Sequence, residues 1–120
     1  MDPLAFEELL LTCFEMRGHE VVRNRRYTGD GGIDGRVVLH GVIWLIQAKR
    51  YDSAVRPEHV RSFAALRARQ RQPGLFVHTG RTGGMSRDAL AGQSRVEILS
   101  GGRLVALLTG RPLSIGGRAI

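Results

Sequence analysis

Residues 43–51 of the chain read IWLIQAKRY. The run begins with four apolar residues, which is typical of a strand that is buried on both faces. It ends with Gln47 and Lys49, which are two positions apart and therefore share one face of a strand. A buried amide and a buried ammonium group need partners or a function. The end of this strand is therefore the first candidate for a functional site.

The sequence around this strand predicts a β-hairpin. Residues 33–39 and 42–49 are rich in Val and Ile, and only His40 and Gly41 separate them. His tolerates a positive φ moderately and Gly tolerates it freely, so the pair fits a two-residue hairpin turn. Such a turn fixes which residues face each other across the two strands.

The register of the hairpin brings polar side chains together. It predicts that Asp34 lies directly across from Gln47, with Cβ atoms roughly 5 Å apart, and that Lys49 is one diagonal step away on the same face. A bulge or a longer loop would change this arrangement.

A second acidic side chain can reach the same place from the first helix. Residues 2–18 predict a helix that begins with an Asp-Pro pair and ends at a glycine. Glu7 lies three and four residues before Leu10 and Leu11, on the apolar stripe, whereas Glu8 falls on the polar stripe. Two interpretations of Glu7 remain open: a carboxylate aimed at a partner or a metal, or a first-turn acid that the helix dipole favours.

The remaining patterns complete an α/β domain with a mixed central sheet, predicted over residues 1–110, and a loose tail over residues 111–120. The predicted order is α-β-β-β-α-β-α-β. Its other parts are a strand at 19–27, the glycine-rich loop TGDGGIDG at 28–35, a helix at 57–72, a strand at 75–79, a short helix that Ser86 caps, a strand at 96–99, and a Gly-Gly turn at 101–102 that leads into 104–108.

The composition limits the classes of protein. The chain has 120 residues, enough for one domain, with 18 Lys and Arg against 11 Asp and Glu. The net charge of +7 favours a polyanionic partner such as nucleic acid, with solvated surface charge as the plain alternative. The single cysteine, Cys13, excludes an internal disulfide and fits a reducing, cytoplasmic setting. No apolar run is long enough for a membrane span, and the start lacks a signal-peptide pattern.

Lys49 is the one lysine among the 18 Lys and Arg residues. Arginine is effectively always charged, whereas lysine is a compact point charge with an adjustable pKa. Its position in the polar strand end therefore suggests lysine chemistry there, and chance placement is the alternative. Together with Asp34, Glu7 and the neutral oxygen of Gln47, it forms a set suited to Mg²⁺ and phosphate. The set predicts metal-dependent hydrolysis of a phosphodiester.

The pattern of Asp34 followed thirteen residues later by Gln47-Ala48-Lys49 resembles the motif of the PD-(D/E)XK nuclease superfamily, in a Gln-x-Lys variant. The chain resembles the Mrr-like restriction endonuclease catalytic domain more closely. The pieces that carry the resemblance span about residues 6–108: FEELL, GDGGIDG, IQAKRY, GLFVHTGRTGGMSRDAL and VEILSGGRLVALL. The resemblance implies a restriction-endonuclease-like αβββαβ core and Mg²⁺-dependent DNA cleavage, in which Mn²⁺ can substitute.

The resemblance also assigns roles to individual residues. It implies that Asp34 and Glu7 bind the metal, that Lys49 is the catalytic lysine, and that the Ala48 carbonyl is an additional ligand. Gln47 stands where most of the superfamily has Glu or Asp, so the site has one negative charge fewer and metal binding should be weaker. DNA phosphate can then be needed to complete the site.

Five residues are candidate DNA contacts, and each has a simpler interpretation. The arginines can each be solvated surface charges, and Ser86 can be a simple helix cap. The candidates are Arg25, Arg26, Arg50, Arg81 and Ser86.

Two alternative functions remain open. One is a structure-selective nuclease of the Holliday-junction type, which shares this fold. The other is a catalytically weak DNA-binding module, which the neutral Gln47 keeps in consideration. Cutting both DNA strands often needs two sites, which is compatible with a homodimer. A DNA-recognition domain or subunit would have to be separate, because 120 residues leave no room for one.

Overall fold

The structure, a computed structural model, describes residues 3–23, 32–50, 56–80 and 95–120. No helix in these ranges is long and apolar enough to cross a membrane. Within them the chain forms the helices α1 (Pro3–Met16), α2 (Pro57–Gln70) and α3 (Gly101–Thr109), and the strands β1 (Val21–Arg23), β2 (Gly35–Leu39), β3 (Val42–Lys49), β4 (Gly74–His78), β5 (Val96–Leu99), β6 (Ser114–Ile115) and β7 (Arg118–Ala119).

Strand β3 is the middle strand of a five-stranded sheet with the order β1-β2-β3-β4-β5. It pairs with β2 in the antiparallel direction and with β4 in the parallel direction. The sheet is therefore mixed, as the sequence predicts. Because both edges of β3 are hydrogen-bonded to neighbours, its position is fixed from two sides.

Helices cover both faces of the sheet, which explains the apolar run in β3. Ile46 packs in a cluster with α1 and α3 on one face, whereas the adjacent Leu45 packs with α2 on the other face. β4 shows the same alternation at Leu75 and Phe76. Full burial of side chains of this size stabilises a fold by about 1.5–3 kcal/mol each, so a strand covered on both faces favours consecutive apolar residues.

The order αβββαβ is confirmed over the elements α1 to β4, and β5 has the predicted bounds. The predicted two-residue turn is present, with φ of 50° at His40 and 78° at Gly41. The predicted register is confirmed for the five pairs from Gly35–Ile46 to Leu39–Val42. The helix predicted after Ser86 and residues 28–31 of the glycine-rich loop lie outside the described residues.

The C-terminal part of the chain differs from the prediction. Gly101 and Gly102, predicted as a turn, are the first residues of α3, which buries Leu104 and Leu107 against the sheet. The predicted loose tail over 111–120 is wrong, because β6 and β7 form a hairpin and Ile115 is only 2% exposed. The Arg17 side chain contributes to this order by donating hydrogen bonds to carbonyl groups of α3 and of the C-terminal segment.

Gly74 provides a test of the packing between α2 and the sheet. A Cβ at Gly74 would lie 2.6 Å from Cε2 of the buried Phe63 ring. We expect Gly74→Ala to lower the free energy of unfolding by about 1–3 kcal/mol, as overpacking of a core does. Gly102→Ala is the matched control, because a Cβ there meets nothing within 4 Å. In the helix it should be neutral or stabilise by up to about 1 kcal/mol.

Urea-induced unfolding of both variants measures this difference through the transition midpoint at unchanged m-value. Equal stability of Gly74→Ala and the wild-type chain would contradict the tight contact between Gly74 and Phe63.

Candidate active site

The Asp34 carboxylate takes the place of a backbone acceptor at the end of the β2–β3 ladder. The ladder ends at the pair Gly35–Ile46, so the predicted direct pair of Asp34 with Gln47 is not part of it. The Asp34 N–H instead donates to the Ile46 carbonyl at 2.8 Å. The Ala48 N–H donates to Asp34 Oδ2 at 2.7 Å. These two bonds fix the carboxylate beside the polar end of β3.

Glu7 reaches this carboxylate from helix α1. It is partly buried, and its side chain forms a hydrogen bond with that of Asp34. The apolar stripe of α1 packs on the sheet through Leu10, Leu11 and other residues, which turns Glu7 toward the sheet edge. Glu8, one residue later, is exposed and forms an ion pair with Arg23. The two adjacent glutamates therefore point in different directions, as the sequence predicts.

The environment of Asp34 opposes its ionisation. Burial raises the pKa of Asp34 above its usual range. The Ala48 N–H bond, the hydrogen bond with Glu7 and the charge of Lys49 act in the opposite direction and only partly compensate. Two carboxyl groups in hydrogen-bond contact share a proton or need a cation between them.

Gln47 is 7% exposed, and its amide lies against Gly32. A Cβ at Gly32 would lie 2.1 Å from Gln47 Nε2, so a larger residue there would displace the end of the Gln47 side chain. Gly32 also has a φ of 101°, which glycine adopts most readily. The buried Oε1 atom of Gln47 accepts no hydrogen bond in the described part of the chain. A buried acceptor in this state is costly unless a ligand completes it.

Lys49 is the last residue of β3 and is partly buried. Its positive charge acts on Asp34 and also on His59, in the first turn of α2. Partial burial lowers the pKa of His59, and the nearby Lys49 ammonium lowers it further. The structure thus brings Glu7, Asp34 and Lys49 to one end of β3 and places His59 across from the lysine.

The donors at this end of β3 fit a hard divalent cation. Mg²⁺ and Mn²⁺ prefer oxygen ligands. Two carboxyl groups are present here, together with the Gln47 amide oxygen, which accepts no hydrogen bond from a described residue. The Ala48 carbonyl adds a fourth oxygen, because in an extended strand it faces the same edge as the Ala48 N–H that binds Asp34. Within the described ranges, no group of three or more His, Cys, Asp or Glu side chains is placed to hold a metal ion by itself.

Two other polar residues next to this site, Arg50 and His78, have simple structural explanations. Arg50 is exposed and directly follows the site strand. His78 is fully buried beside Lys49 in the sheet and packs near Phe76, as a core histidine does. The remaining proposed DNA contacts lie outside the described residues: Arg25, Arg26, Arg81 and Ser86.

His59 did not emerge from the sequence. The sequence feature that could have indicated His59 is its place just after Pro57, in the first turn of the helix that follows β3. The sequence between β3 and α2 has no apolar periodicity from which its path could be predicted. The position of His59 near the end of β3 therefore follows only from the tertiary fold.

Two comparisons with known proteins bear on this arrangement. The family model Mrr_cat, described as restriction endonuclease, matches residues 1–108, a range that includes all of β3 and helix α1. The type IV methyl-directed restriction enzyme EcoKMrr of Escherichia coli (strain K12) is 28% identical over 128 aligned positions. That alignment covers all of this chain and 42% of the enzyme, so the chain spans less than half the length of this relative. The chain belongs to the Mrr-type family of restriction endonuclease catalytic domains.

Proposed function

We propose that this chain is a metal-dependent DNA endonuclease that hydrolyses phosphodiester bonds at the polar end of β3. The observation that carries the proposal is the contact between the carboxyl groups of Glu7 and Asp34, partly buried next to Lys49. Burying two acids against each other costs stability. Binding a cation at that place offsets the cost, and family membership supports a nuclease reaction.

The residues have distinct roles in this proposal. Asp34 and Glu7 hold a divalent cation, with Mg²⁺ as the first candidate and Mn²⁺ as a substitute, and Gln47 Oε1 and the Ala48 carbonyl add neutral ligands. Such a cation would neutralise phosphate charge and lower the pKa of a water molecule. Lys49 orients the attacking water and stabilises the extra negative charge that develops on the phosphate.

DNA is the proposed substrate because the net charge of +7 favours a polyanion. Arg50 is exposed next to Lys49, where it can bind a phosphate that flanks the reacting one. Four further phosphate contacts are proposed from the sequence alone: Arg25, Arg26, Arg81 and Ser86. A homodimer and a separate recognition domain or subunit are parts of the same proposal.

The adjacent glutamates of α1 give a matched test of the site. We expect Glu7→Gln to lower the rate of plasmid nicking in Mg²⁺ by at least about tenfold, because it removes one of two charged ligands. Glu8→Gln should leave the rate unchanged, because Glu8 is an exposed partner of Arg23. Lys49→Met should lower the rate by about 10²–10³-fold, the usual cost of losing a group that stabilises the transition state.

Supercoiled plasmid in Mg²⁺, in Mn²⁺ and in EDTA measures these rates. Equal nicking rates for Glu7→Gln and Glu8→Gln would show that Glu7 is not part of the active site. Salt-sensitive DNA binding in EDTA, with no nicking in either metal by the wild-type chain, would favour the DNA-binding module instead. Faster cleavage of a four-way junction than of linear duplex would favour the structure-selective nuclease.

Asp34→Asn should stabilise the metal-free chain at neutral pH. Because the folded-state pKa of Asp34 is raised, the folded chain binds the proton more tightly than the unfolded chain does. Stability therefore falls as pH rises from the unfolded-state pKa of about 3.9 through the folded-state pKa. Asparagine does not ionise, so in EDTA the variant should be more stable at pH 7 by about 1 kcal/mol, a typical single-residue effect.

The same variant should lose its response to metal. Added Mg²⁺ or Mn²⁺ should raise the Tm of the wild-type chain, because the cation binds only the folded site. The Tm of Asp34→Asn should stay constant. Urea unfolding in EDTA at pH 4 and pH 7, and thermal unfolding with each metal, test both statements. A variant less stable than the wild-type chain at pH 7, or equally stabilised by metal, would exclude Asp34 as the buried ligand.

A further inference from the structure

A cavity of about 260 Å³ lies at the end of the sheet opposite the candidate active site. Its lining includes the β2–β3 turn, the start of β3 and the C-terminal hairpin β6–β7. Trp44, which forms part of the wall, is five residues before Lys49 on β3, so the two are about 17 Å apart along the strand. They also lie on opposite faces, because their separation is odd. This cavity is therefore separate from the metal-binding carboxylates.

The C-terminal hairpin is held firmly in place as one wall of the cavity. Glu97 accepts a hydrogen bond from the Gly116 N–H at 2.9 Å, and Arg103 donates to the Ser114 carbonyl at 2.6 Å. From the other side, His40 Nε2 donates to the Ala119 carbonyl at 2.7 Å. The hairpin lies beyond residue 108, where the family match ends.

The cavity combines an aromatic ring with positive charge. Trp44 is partly buried, and a Cβ at Gly116 would lie 3.0 Å from its Cζ2 atom, so the hairpin backbone passes close to the ring. Arg95 and Arg118 are among the lining residues, both are exposed, and neither forms an ion pair with a described residue. The carboxylate of Glu97 touches the hairpin, but Arg103 already compensates its charge.

We propose that this cavity binds a nucleotide, with the base against Trp44 and the phosphate between Arg95 and Arg118. A planar base stacks on an aromatic ring whatever its identity, because every base has a π-face. Two arginines that have no carboxylate partner among the described residues match a phosphate, which they bind through charge-assisted hydrogen bonds. The volume is just below the roughly 300–1,000 Å³ of common ligand pockets, which suits one nucleotide and not a longer strand segment.

Trp44 is the only tryptophan of the chain, so its fluorescence reports on this cavity alone. The probe is thymidine 5′-monophosphate, added in EDTA so that no cleavage takes place. We expect a saturable change in Trp44 fluorescence. Arg118→Gln and Arg95→Gln should each weaken binding about tenfold, the effect of one lost charge-assisted hydrogen bond. Arg61→Gln, the same charge change on the exposed face of α2, should bind as the wild-type chain does.

Three outcomes would overturn the proposal. They are the absence of a saturable change, an equal affinity for inorganic phosphate and the nucleotide, and an equal loss of affinity in Arg61→Gln and Arg118→Gln. Thymidine without its phosphate should bind at least about tenfold more weakly than the nucleotide. Circular dichroism of each variant verifies that it is folded.

The same measurement separates a free nucleotide from a nucleotide of a DNA strand. If a short oligothymidylate changes Trp44 fluorescence, and Arg118→Gln weakens that binding, the occupant is a unit of a strand. If only the monophosphate changes it, the occupant is a free nucleotide. Because the readout is in EDTA, failure of this proposal would leave the proposed nuclease unaffected, and failure of the nuclease would leave this cavity unaffected.

Discussion

Hydrogen bonding along both edges of β3 is the constraint on which the rest of the structure depends. The antiparallel pairing with β2 brings Asp34 to the end of β3, and the parallel pairing with β4 requires a crossover, which contains α2. Helices on both faces then bury the apolar middle of the strand. The end of β3 can carry polar residues without disrupting the core, and Gln47 and Lys49 lie there.

The candidate site lies where the regular hydrogen bonding between β2 and β3 ends. The Asp34 carboxylate accepts the Ala48 N–H where the ladder stops, so the acid satisfies a backbone donor while it faces the site. Gly32 lies so close to the Gln47 amide that a larger residue there would displace the amide from its present position. The Asp34–Ala48 hydrogen bond and the contact of Gly32 with Gln47 both keep oxygen atoms at a partly buried position. In a regularly packed sheet, apolar groups would occupy that position.

Local patterns predicted the parts of this fold that depend on local chemistry. The two-residue turn and the alternation in β3 follow from His40-Gly41 and from residues 42–49, so the hairpin and its register could be read from the sequence. The start of α3 could not, because Gly101 and Gly102 disfavour helices and packing of Leu104 overrides them. The C-terminal hairpin was missed because its anchors, such as the hydrogen bond from His40 to the Ala119 carbonyl, span 79 residues of sequence.

The contact between Glu7 and Asp34 also has a consequence for the order of folding. Asp34, Gln47 and Lys49 belong to a hairpin whose contacts are local, and such hairpins form within about 1–10 μs. Glu7 reaches them only when α1 docks on the completed sheet, a step with long-range contacts. The proposed cation site is therefore completed at a late step of folding. A divalent cation should slow the local detachment of α1, which links the exchange of its amide hydrogens to the metal concentration.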